Sequence, residues 1–404
     1  MAMSEQFTKV GDGLLVRAPG KINISLLVKG KRPDGYHEIE TIMAKVDWYD
    51  EIVIEKYEIR NTKYETQNPK SEIPNTEQGT QNAEQKTEDP ALQSFAEASE
   101  GQNIEPAYGG QASNIEHPTS NSERRTDEKP VIELICKGEY KVPEGEENLV
   151  YKAAKMILET GHQGIRESGN QEKLPTSNIE HPISNAEQRT EGIEESGEQE
   201  NKLRITLTKN VPAGAGLGSG SSDAAATLMG INKFLKLGLS KSEINRLAAE
   251  LGSDVAFFLD GPVALCTGRG EKVKKIQGCE FRALLVVPDV SVSTKRVYEN
   301  YRDDEAKYRR LSEEIKIYIE KKRVDLVSRM CANMLQESSF ELHPELGVLK
   351  KKIESLGIRP VSLSGSGSSM FCIIDGSNEE GVMAYQKKLA DNSIRSIIVK
   401  NNMW

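Results

Sequence analysis

Residues 211–226 read VPAGAGLGSGSSDAAA, with glycines at Gly214, Gly216, Gly218 and Gly220 ahead of a Ser-Ser-Asp step. Such a loop can turn several backbone N–H groups toward one anion, and a helix that follows adds the partial positive charge of its N-terminus. Glycine suits the task because a Cβ would keep the backbone away from phosphate oxygens. The alternating strand LRITLTKNV leads into the loop. DAAATLMGINKFLKLG leads out of it, with Ala, Leu, Ile and Phe on one helical face and a stop at Gly238. Two common anion motifs do not fit. A dinucleotide site needs G-x-G-x-x-G and an acidic residue about 20 residues on at a strand end. Here that place holds LGLSKSE, a helix boundary with Ser240 and Glu243 spaced as a capping box. A Walker A loop closes on Gly-Lys-Ser/Thr, and this loop does not. Phosphate binding and a plain flexible turn both stay open on the loop alone.

Four other positions hold chemically able side chains in unusual settings. Lys21 lies on an alternating strand among apolar residues, in LLVRAPGKINISLLV. A buried charge there calls for a partner, whereas a solvated strand face would need none. Asp254 follows the helix stop Gly252 and precedes the apolar run VAFFL, the place of a helix N-cap. His37 reads as a loop histidine, and Tyr298 in PDVSVSTKRVYENY reads as helix-face core.

The elements that must position these residues occupy only part of the chain. At 404 residues there is room for two or three domains, yet hydrophobic content is 37% and aromatics 5%, low for a fully packed protein. The missing core traces to two segments. Residues 59–130 hold seven Lys/Arg against thirteen Asp/Glu, and residues 162–202 hold four against nine. Their combined −11, taken out of the chain's −9, leaves the rest at +2, a surface able to receive a polyanionic small molecule. The same segments share a repeat: ASNIEHPTSNSERRTDE at 112–128 returns as TSNIEHPISNAEQRTEG at 176–192, with 11 of 17 positions identical. Each copy is polar and has no apolar stripe, so burial cannot offset an ordering cost of ~1–2 kcal/mol per residue. Both segments read as disordered or weakly ordered surface inserts at joints between elements. The first falls between the strand-like DEIVIEKYEI and KPVIELICKGEY, where a hairpin turn belongs. The second falls between a helix that stops at Gly161 and the strand NKLRITLTKNVP.

Several function classes drop out. There is no run of about 18 apolar residues to span a membrane, and MAMSEQFTKVGDG has no signal-peptide core. No dense basic stripe with aromatics supports nucleic-acid binding. Cys136, Cys266, Cys279, Cys331 and Cys372 show no metal or C-x-x-C spacing and read as reduced residues of a cytoplasmic protein.

Three motifs in order carry a resemblance. Pro19-Gly20-Lys21-Ile22-Asn23 is followed by Asp34-Gly35-Tyr36-His37, then by the PAGAGLGSGSSDAA loop, then by Ser364-Gly365-Ser366-Gly367-Ser368 in VSLSGSGSSMF. Together they resemble the GHMP kinases (galactokinase, homoserine kinase, mevalonate kinase and phosphomevalonate kinase). Within that family they are most similar to the branch acting on a cytidine diphosphate ester of methylerythritol. The match runs over 14–58, 131–161 and 203–375. One departure is Ser219, where that branch usually carries glycine.

The resemblance implies an α+β, two-domain GHMP kinase fold. Its ribosomal-S5-like N-terminal domain would cover 1–279, inserts included, and its ferredoxin-like C-terminal domain 280–404, with the active site between them. It implies an ATP- and Mg²⁺-dependent transfer to the 2-hydroxyl of the cytidylated methylerythritol, a step of the non-mevalonate isoprenoid route. Pro212, Ala213, Gly214, Ala215, Gly216, Leu217, Gly218, Ser219, Gly220, Ser221 and Ser222 would wrap the ATP phosphates, with Asn148 toward the adenine and Ser221 or Ser222 toward Mg²⁺. Asp254 would take the hydroxyl proton, with Lys21 polarising both. Asn23, Tyr36, His37, Thr294 and Tyr298 would bind the substrate: Asn23 by hydrogen bonding, Tyr36 and Tyr298 by stacking, His37 at the base edge, Thr294 at the diphosphate. A small-molecule partner, with no nucleic acid or membrane and a monomer or weak homodimer, completes the expectation. Mevalonate kinase or another GHMP kinase would not need Tyr36-His37. A kinase-fold interaction protein using the inserts would not need Lys21 and Asp254.

Overall fold

The computed structural model describes residues 6–57, 132–168, 202–277, 280–374 and 379–402. Its first half is built on three successive antiparallel strands, β1 (Phe7–Val10), β2 (Gly13–Lys31) and β3 (His37–Tyr57). From Ala18 to Val28, β2 is buried on both faces, so polar residues such as Lys21 and Asn23 are carried into the interior. The β2–β3 register shifts between Pro19 and Lys21 and again between Asn23 and Ser25. Irregularities of this kind re-aim side chains, and these two bracket Lys21 and Asn23.

The strands flanking the first insert do not form the hairpin expected from sequence. β4 (Ile132–Gly138) is followed by α1 (Leu149–Ser168) and β5 (Lys202–Lys209), and β5 lies between β3 and β4. It pairs antiparallel with β3 and parallel with β4. A parallel pair requires a crossover, and α1 supplies it. Gly161 is also not the stop of α1, which runs on to Ser168. This glycine serves packing, since a Cβ there would sit 3.2 Å from Leu237.

Next come α2 (Ser219–Leu235), α3 (Lys241–Leu251), α4 (Val255–Phe258), β6 (Val263–Gly268) and β7 (Lys272–Lys275). β6 pairs with the first part of β3 and with β7. The α2 helix starts four residues before the expected Asp223, with Gly218 as its left-handed N-cap, and closes through Lys236 rather than running to Gly238. Small residues let it lie close on the sheet: a Cβ at Gly230 would come within 2.6 Å of Ile54 and 2.8 Å of Val16. The capping box of Ser240 and Glu243 forms as the spacing predicts.

The second half holds β8 (Arg282–Val286), α5 (Thr294–Glu299), α6 (Glu305–Glu320), α7 (Val324–Arg329), α8 (Gln336–Leu342), α9 (Pro344–Ser355), β9 (Ser362–Leu363), β10 (Met370–Ile374), α10 (Glu379–Asp391) and β11 (Ser396–Lys400). Its four strands form an antiparallel sheet in the order β11-β8-β10-β9. Two apolar cores result. One joins α1, α2, α3 and α4 to the first sheet, around Ile54, Leu228 and Phe257. The other packs β2 and β3, through Ile22, Leu27 and Ile42, against the second sheet and its helices. Backbone hydrogen bonds stitch the halves together: Leu26 N–H to Ala332 O at 2.7 Å, Met334 N–H to Leu26 O at 2.9 Å and Asn402 N–H to Lys45 O at 2.9 Å.

The architecture is the α+β layout expected. Among the described residues no helix is long and apolar enough to cross a membrane. The repeat and nearly all of both inserts lie outside the described residues. Two parts do not: 162–168, which continue α1, and Lys202, which opens β5.

Candidate active site

Lys21 and Asp254, 233 positions apart in the chain, meet with Nζ 3.5 Å from Oδ2. Lys21 is buried on β2 while about a third of the Asp254 side chain is exposed, so the carboxylate opens toward solvent. Asp254 occupies the N-cap position of α4 but makes no side-chain capping bond, which leaves it free for other work. The Lys21 amine also donates to Asn23 Oδ1 at 2.5 Å. Asn23 Nδ2 in turn donates to Thr41 Oγ1 at 2.8 Å, and Thr41 donates to Ser25 O at 2.6 Å. Asn23 is thereby oriented with its oxygen toward the lysine. Beside Lys21 on β3, the buried Lys45 donates to Phe258 O (3.0 Å) and Asp260 O (2.6 Å) and so grips the end of α4. Burial pushes this amine down to about 8 despite the pull of Asp260.

The glycine loop is folded over this pair. Lys21 N–H donates to Leu217 O at 2.8 Å. Gly214, Gly216 and Gly218 all have positive φ, at +71°, +77° and +65°. Their reasons for being glycine differ from the single one given by sequence. Gly218 is pressed on the lysine stem, where a Cβ would lie 2.8 Å from Lys21 Cε. Gly216 is pressed on the third motif, where a Cβ would lie 2.1 Å from Ser364 O. Only Gly214 faces open space. The third motif holds the loop through Ser364, whose hydroxyl donates to Gly216 O at 2.8 Å and accepts from Asn23 N–H at 3.2 Å. Ser369 N–H donates to Ala215 O at 3.1 Å. The departing residue Ser219 fits well: its hydroxyl bridges the loop's two ends by donating to Pro212 O at 3.1 Å. With no side chain capping α2, its first N–H groups stay available for an anion. That helix end begins beside Lys21.

Behind the loop sits a buried cluster that the sequence did not reveal. Lys209, the last residue of β5, bonds both Asp50 and Asp223, the latter at 2.8 Å. Asp50 Oδ1 accepts from Asn210 N–H (2.6 Å) and Val211 N–H (2.8 Å), where the loop departs. Burial would lower the Lys209 amine, but Asp223 and Asp50 outweigh it and hold it above its ordinary value. Burial pushes Asp223 up to about 8, with Lys209 opposing and Asp50 adding to the rise. The cluster thus anchors both ends of the loop. Ser222 is buried with no hydrogen-bond partner for its hydroxyl among the described residues, while Ser221 is half-buried.

A third group gathers aromatic rings. Asp34 and Gly35 (φ +85°) form the tight β2–β3 turn, in which Tyr36 N–H donates to Asp34 Oδ1 at 3.1 Å. His37 stacks on Tyr298 with centroids 5.1 Å apart and meets the edge of Tyr301 at 6.0 Å. Burial lowers the His37 imidazole, opposed by Asp303. Burial raises the Tyr298 phenol, and Asp254 is close enough to add to that rise. Tyr36 is exposed, with the Arg269 guanidinium 5.2 Å from its ring centroid. Thr294 opens α5 and shares a 2.8 Å hydrogen bond with Ser366. Tyr301 escaped the sequence reading, although its spacing of three from Tyr298 puts both on one side of a helical turn. Asn148 is engaged elsewhere: its oxygen accepts from Val150 N–H (2.9 Å) and its amide donates to Pro143 O (2.6 Å), capping α1.

The chain matches the model of the GHMP kinases N terminal domain over residues 186–262 and that of the GHMP kinases C terminal domain over 313–389. The chain belongs to the GHMP kinases. It is thus an ATP-dependent small-molecule kinase. It is 29% identical over 364 residues, covering 89% of this chain and 88% of the relative, to a 4-diphosphocytidyl-2-C-methyl-D-erythritol kinase of Geobacillus sp. strain WCH70. A crystal structure of 4-(cytidine 5'-diphospho)-2C-methyl-D-erythritol kinase superposes with a TM-score of 0.55 at 22% identity, over 96% of this chain and 100% of that one. Homoserine kinase from Cytophaga hutchinsonii superposes at 0.57 and 18% identity, over 99% and 98%. The structural likenesses speak for the shared GHMP fold.

Proposed function

We propose that this GHMP kinase phosphorylates the 2-hydroxyl of 4-diphosphocytidyl-2-C-methyl-D-erythritol in the non-mevalonate route to isoprenoid precursors. The observation that carries the reading is the position of the Lys21–Asp254 pair, between an uncapped helix N-terminus and the stacked rings of His37 and Tyr298. One side suits a nucleotide phosphate and the other a pyrimidine. The chemistry at the centre suits a hydroxyl group.

In this mechanism ATP lies with its phosphates along 212–222 and its terminal phosphoryl group at the start of α2. Asp254 accepts the proton as the substrate oxygen forms its bond to phosphorus and the bond to the ADP oxygen breaks. Such a transfer depends mainly on positioning and charge. Lys21 offers a fixed cation beside the reacting oxygens, and Asn23 holds that cation in place. Tyr36, His37 and Tyr298 take the cytosine, and Thr294 a phosphate of the diphosphate. Asn148, whose side chain caps α1, would border the adenine from that position. The domains divide at 279/280, between β7 and β8. Mg²⁺ fits the residues present, because Ser222 has an unpartnered buried hydroxyl in the first turn of α2. Mg²⁺ commonly takes few protein ligands alongside substrate phosphates; bound here it would neutralise phosphate charge, with the Ser222 or Ser221 hydroxyl as its protein ligand. The unpaired state of Cys136, Cys266, Cys331 and Cys372 supports a cytoplasmic setting.

The test is ADP release from MgATP with three acceptors supplied separately: the cytidylated methylerythritol diphosphate, mevalonate and homoserine. Turnover on the first at least a hundredfold above the others is expected. Equal or better turnover on mevalonate or homoserine would overturn the substrate assignment.

A further inference from the structure

The β6–β7 turn holds a charged residue that the mechanism above does not use. Gly268 and Gly270, with φ of +76° and +124°, flank Arg269 in a tight turn closed by Gly270 N–H to Thr267 O at 3.2 Å. The backbone N–H of Arg269 donates to Glu271 Oε2 at 2.7 Å, which fixes the turn from inside. On one side the turn rests against the reacting carboxylate: a Cβ on Gly270 would lie 3.4 Å from Ser253 O and 3.5 Å from Asp254 Oδ1. On its other side the Arg269 guanidinium lies 5.2 Å from the Tyr36 ring centroid. The turn therefore abuts the carboxylate assigned to the hydroxyl, while its Arg269 guanidinium reaches the ring assigned to the base.

We infer that Arg269 is a substrate-binding residue that pairs with the diphosphate linking these two ends, an inference that rests on the proposed substrate. That diphosphate carries its negative charge in the middle of the molecule, and a planar guanidinium matches phosphate oxygens two at a time. Two neighbouring cations are already paired. Arg32 is held by Asp34 (3.0 Å) and Glu38 (2.6 Å), and Lys21 by Asn23 and Asp254. Arg269 makes a loose 3.9 Å approach to Glu271, lies close enough to Asp34 for its charge to be felt there, and has about a third of its side chain exposed. From its place beside the Tyr36 ring the guanidinium can turn onto an anion. Its charge also gives selectivity for a cytidine diphosphate ester over an uncharged acceptor.

Calorimetric titration of cytidine and of CDP tests this, with the ATP site filled by a non-hydrolysable ATP analogue and Mg²⁺. The wild-type protein is expected to bind CDP roughly 10- to 100-fold more tightly than cytidine, the range for charge-assisted hydrogen bonds. Arg269→Gln should remove most of that preference and leave cytidine binding within about threefold; Arg269→Lys should restore part of it. If Arg269 merely props Tyr36, Arg269→Gln weakens both ligands together and the preference survives, which would overturn the inference alone. Failure of the wild-type protein to bind either ligand would overturn the cytidylated-substrate reading itself, and the inference with it.

Discussion

Replacing Gly214 and Gly216 by alanine, one at a time, separates two jobs of the glycine loop. Both residues have positive φ, +71° and +77°, so each substitution carries a similar backbone penalty of about 1–2 kcal/mol. The surroundings differ. A Cβ at Gly214 has nothing within 4 Å, whereas one at Gly216 falls 2.1 Å from Ser364 O and 3.0 Å from Gly367 O. Both of those atoms are backbone and cannot swing aside. Gly216→Ala must separate the loop from the third motif, losing Ser364 Oγ–H to Gly216 O and Ser369 N–H to Ala215 O and straining Asn23 N–H to Ser364 Oγ. Three hydrogen bonds at about 0.5–1.5 kcal/mol each put the additional loss at about 2–4 kcal/mol. At about 2–4 °C per kcal/mol, Gly216→Ala should melt on the order of 5–15 °C below Gly214→Ala. The cost of Gly214→Ala should show instead in ATP binding, because its methyl group enters the space open to phosphate. Thermal unfolding and the KM for ATP, measured on both variants, check this. Equal melting temperatures would refute the packing argument, and an unchanged KM in Gly214→Ala would refute the phosphate argument.

Two further outcomes concern the scaffold. Lys209→Met leaves two buried carboxylates without their cation and should cost about 3–5 kcal/mol in unfolding free energy. Because the folded pKa of Asp223 is raised from 3.8 to about 8, its stabilising contribution is complete below the unfolded value and is lost as pH rises through 8. Wild-type melting temperature should therefore fall from pH 5 to pH 8, and Asp223→Asn should flatten that fall; an unchanged slope would show that Asp223 does not titrate there. Residues 58–131 should be replaceable by a Gly/Ser link of about six residues. Tyr57 pairs with Lys202, and Ile132 with Leu203 on the other side of β5, so the ends to be joined lie about 10 Å apart, two strand spacings. Kinase activity within about threefold of the full chain, ~0.7 kcal/mol in barrier, is expected; loss of activity would mean that the segment contributes to the working fold.

Much of this was legible from local pattern. The capping box at Ser240 and the strand–loop–helix order around 203–235 come from short-range spacing, which is where sequence speaks most directly. Pairing between distant strands is not local, and so β5 entered between β3 and β4 where a hairpin was expected. The helix α2 began early because Gly218 in a left-handed conformation starts it, although the residues after it look like loop. Lys21 and Asp254 were named through a family resemblance; their separation in the chain hides the 3.5 Å contact that the fold creates. The Asp50–Lys209–Asp223 cluster had no sequence signal at all. In DWYDEIV, ITLTKNV and GSSDAAA these residues look like ordinary charges near element ends, and only burial on every side reveals them as a unit. Arg269 was silent for a related reason, since its meaning depends on Tyr36 and Asp254 arriving from two other elements.

The central claim is that phosphoryl transfer takes place at the Lys21–Asp254 pair. Single-turnover transfer from MgATP to the cytidylated substrate, measured in a double-mutant cycle, tests it most directly. Asp254→Asn should slow the transfer by roughly 10²–10⁴, and adding Lys21→Met should cost far less than the product of the two single losses, because the residues act as one unit. A wild-type rate in Asp254→Asn, or full additivity of the two substitutions, would contradict the account.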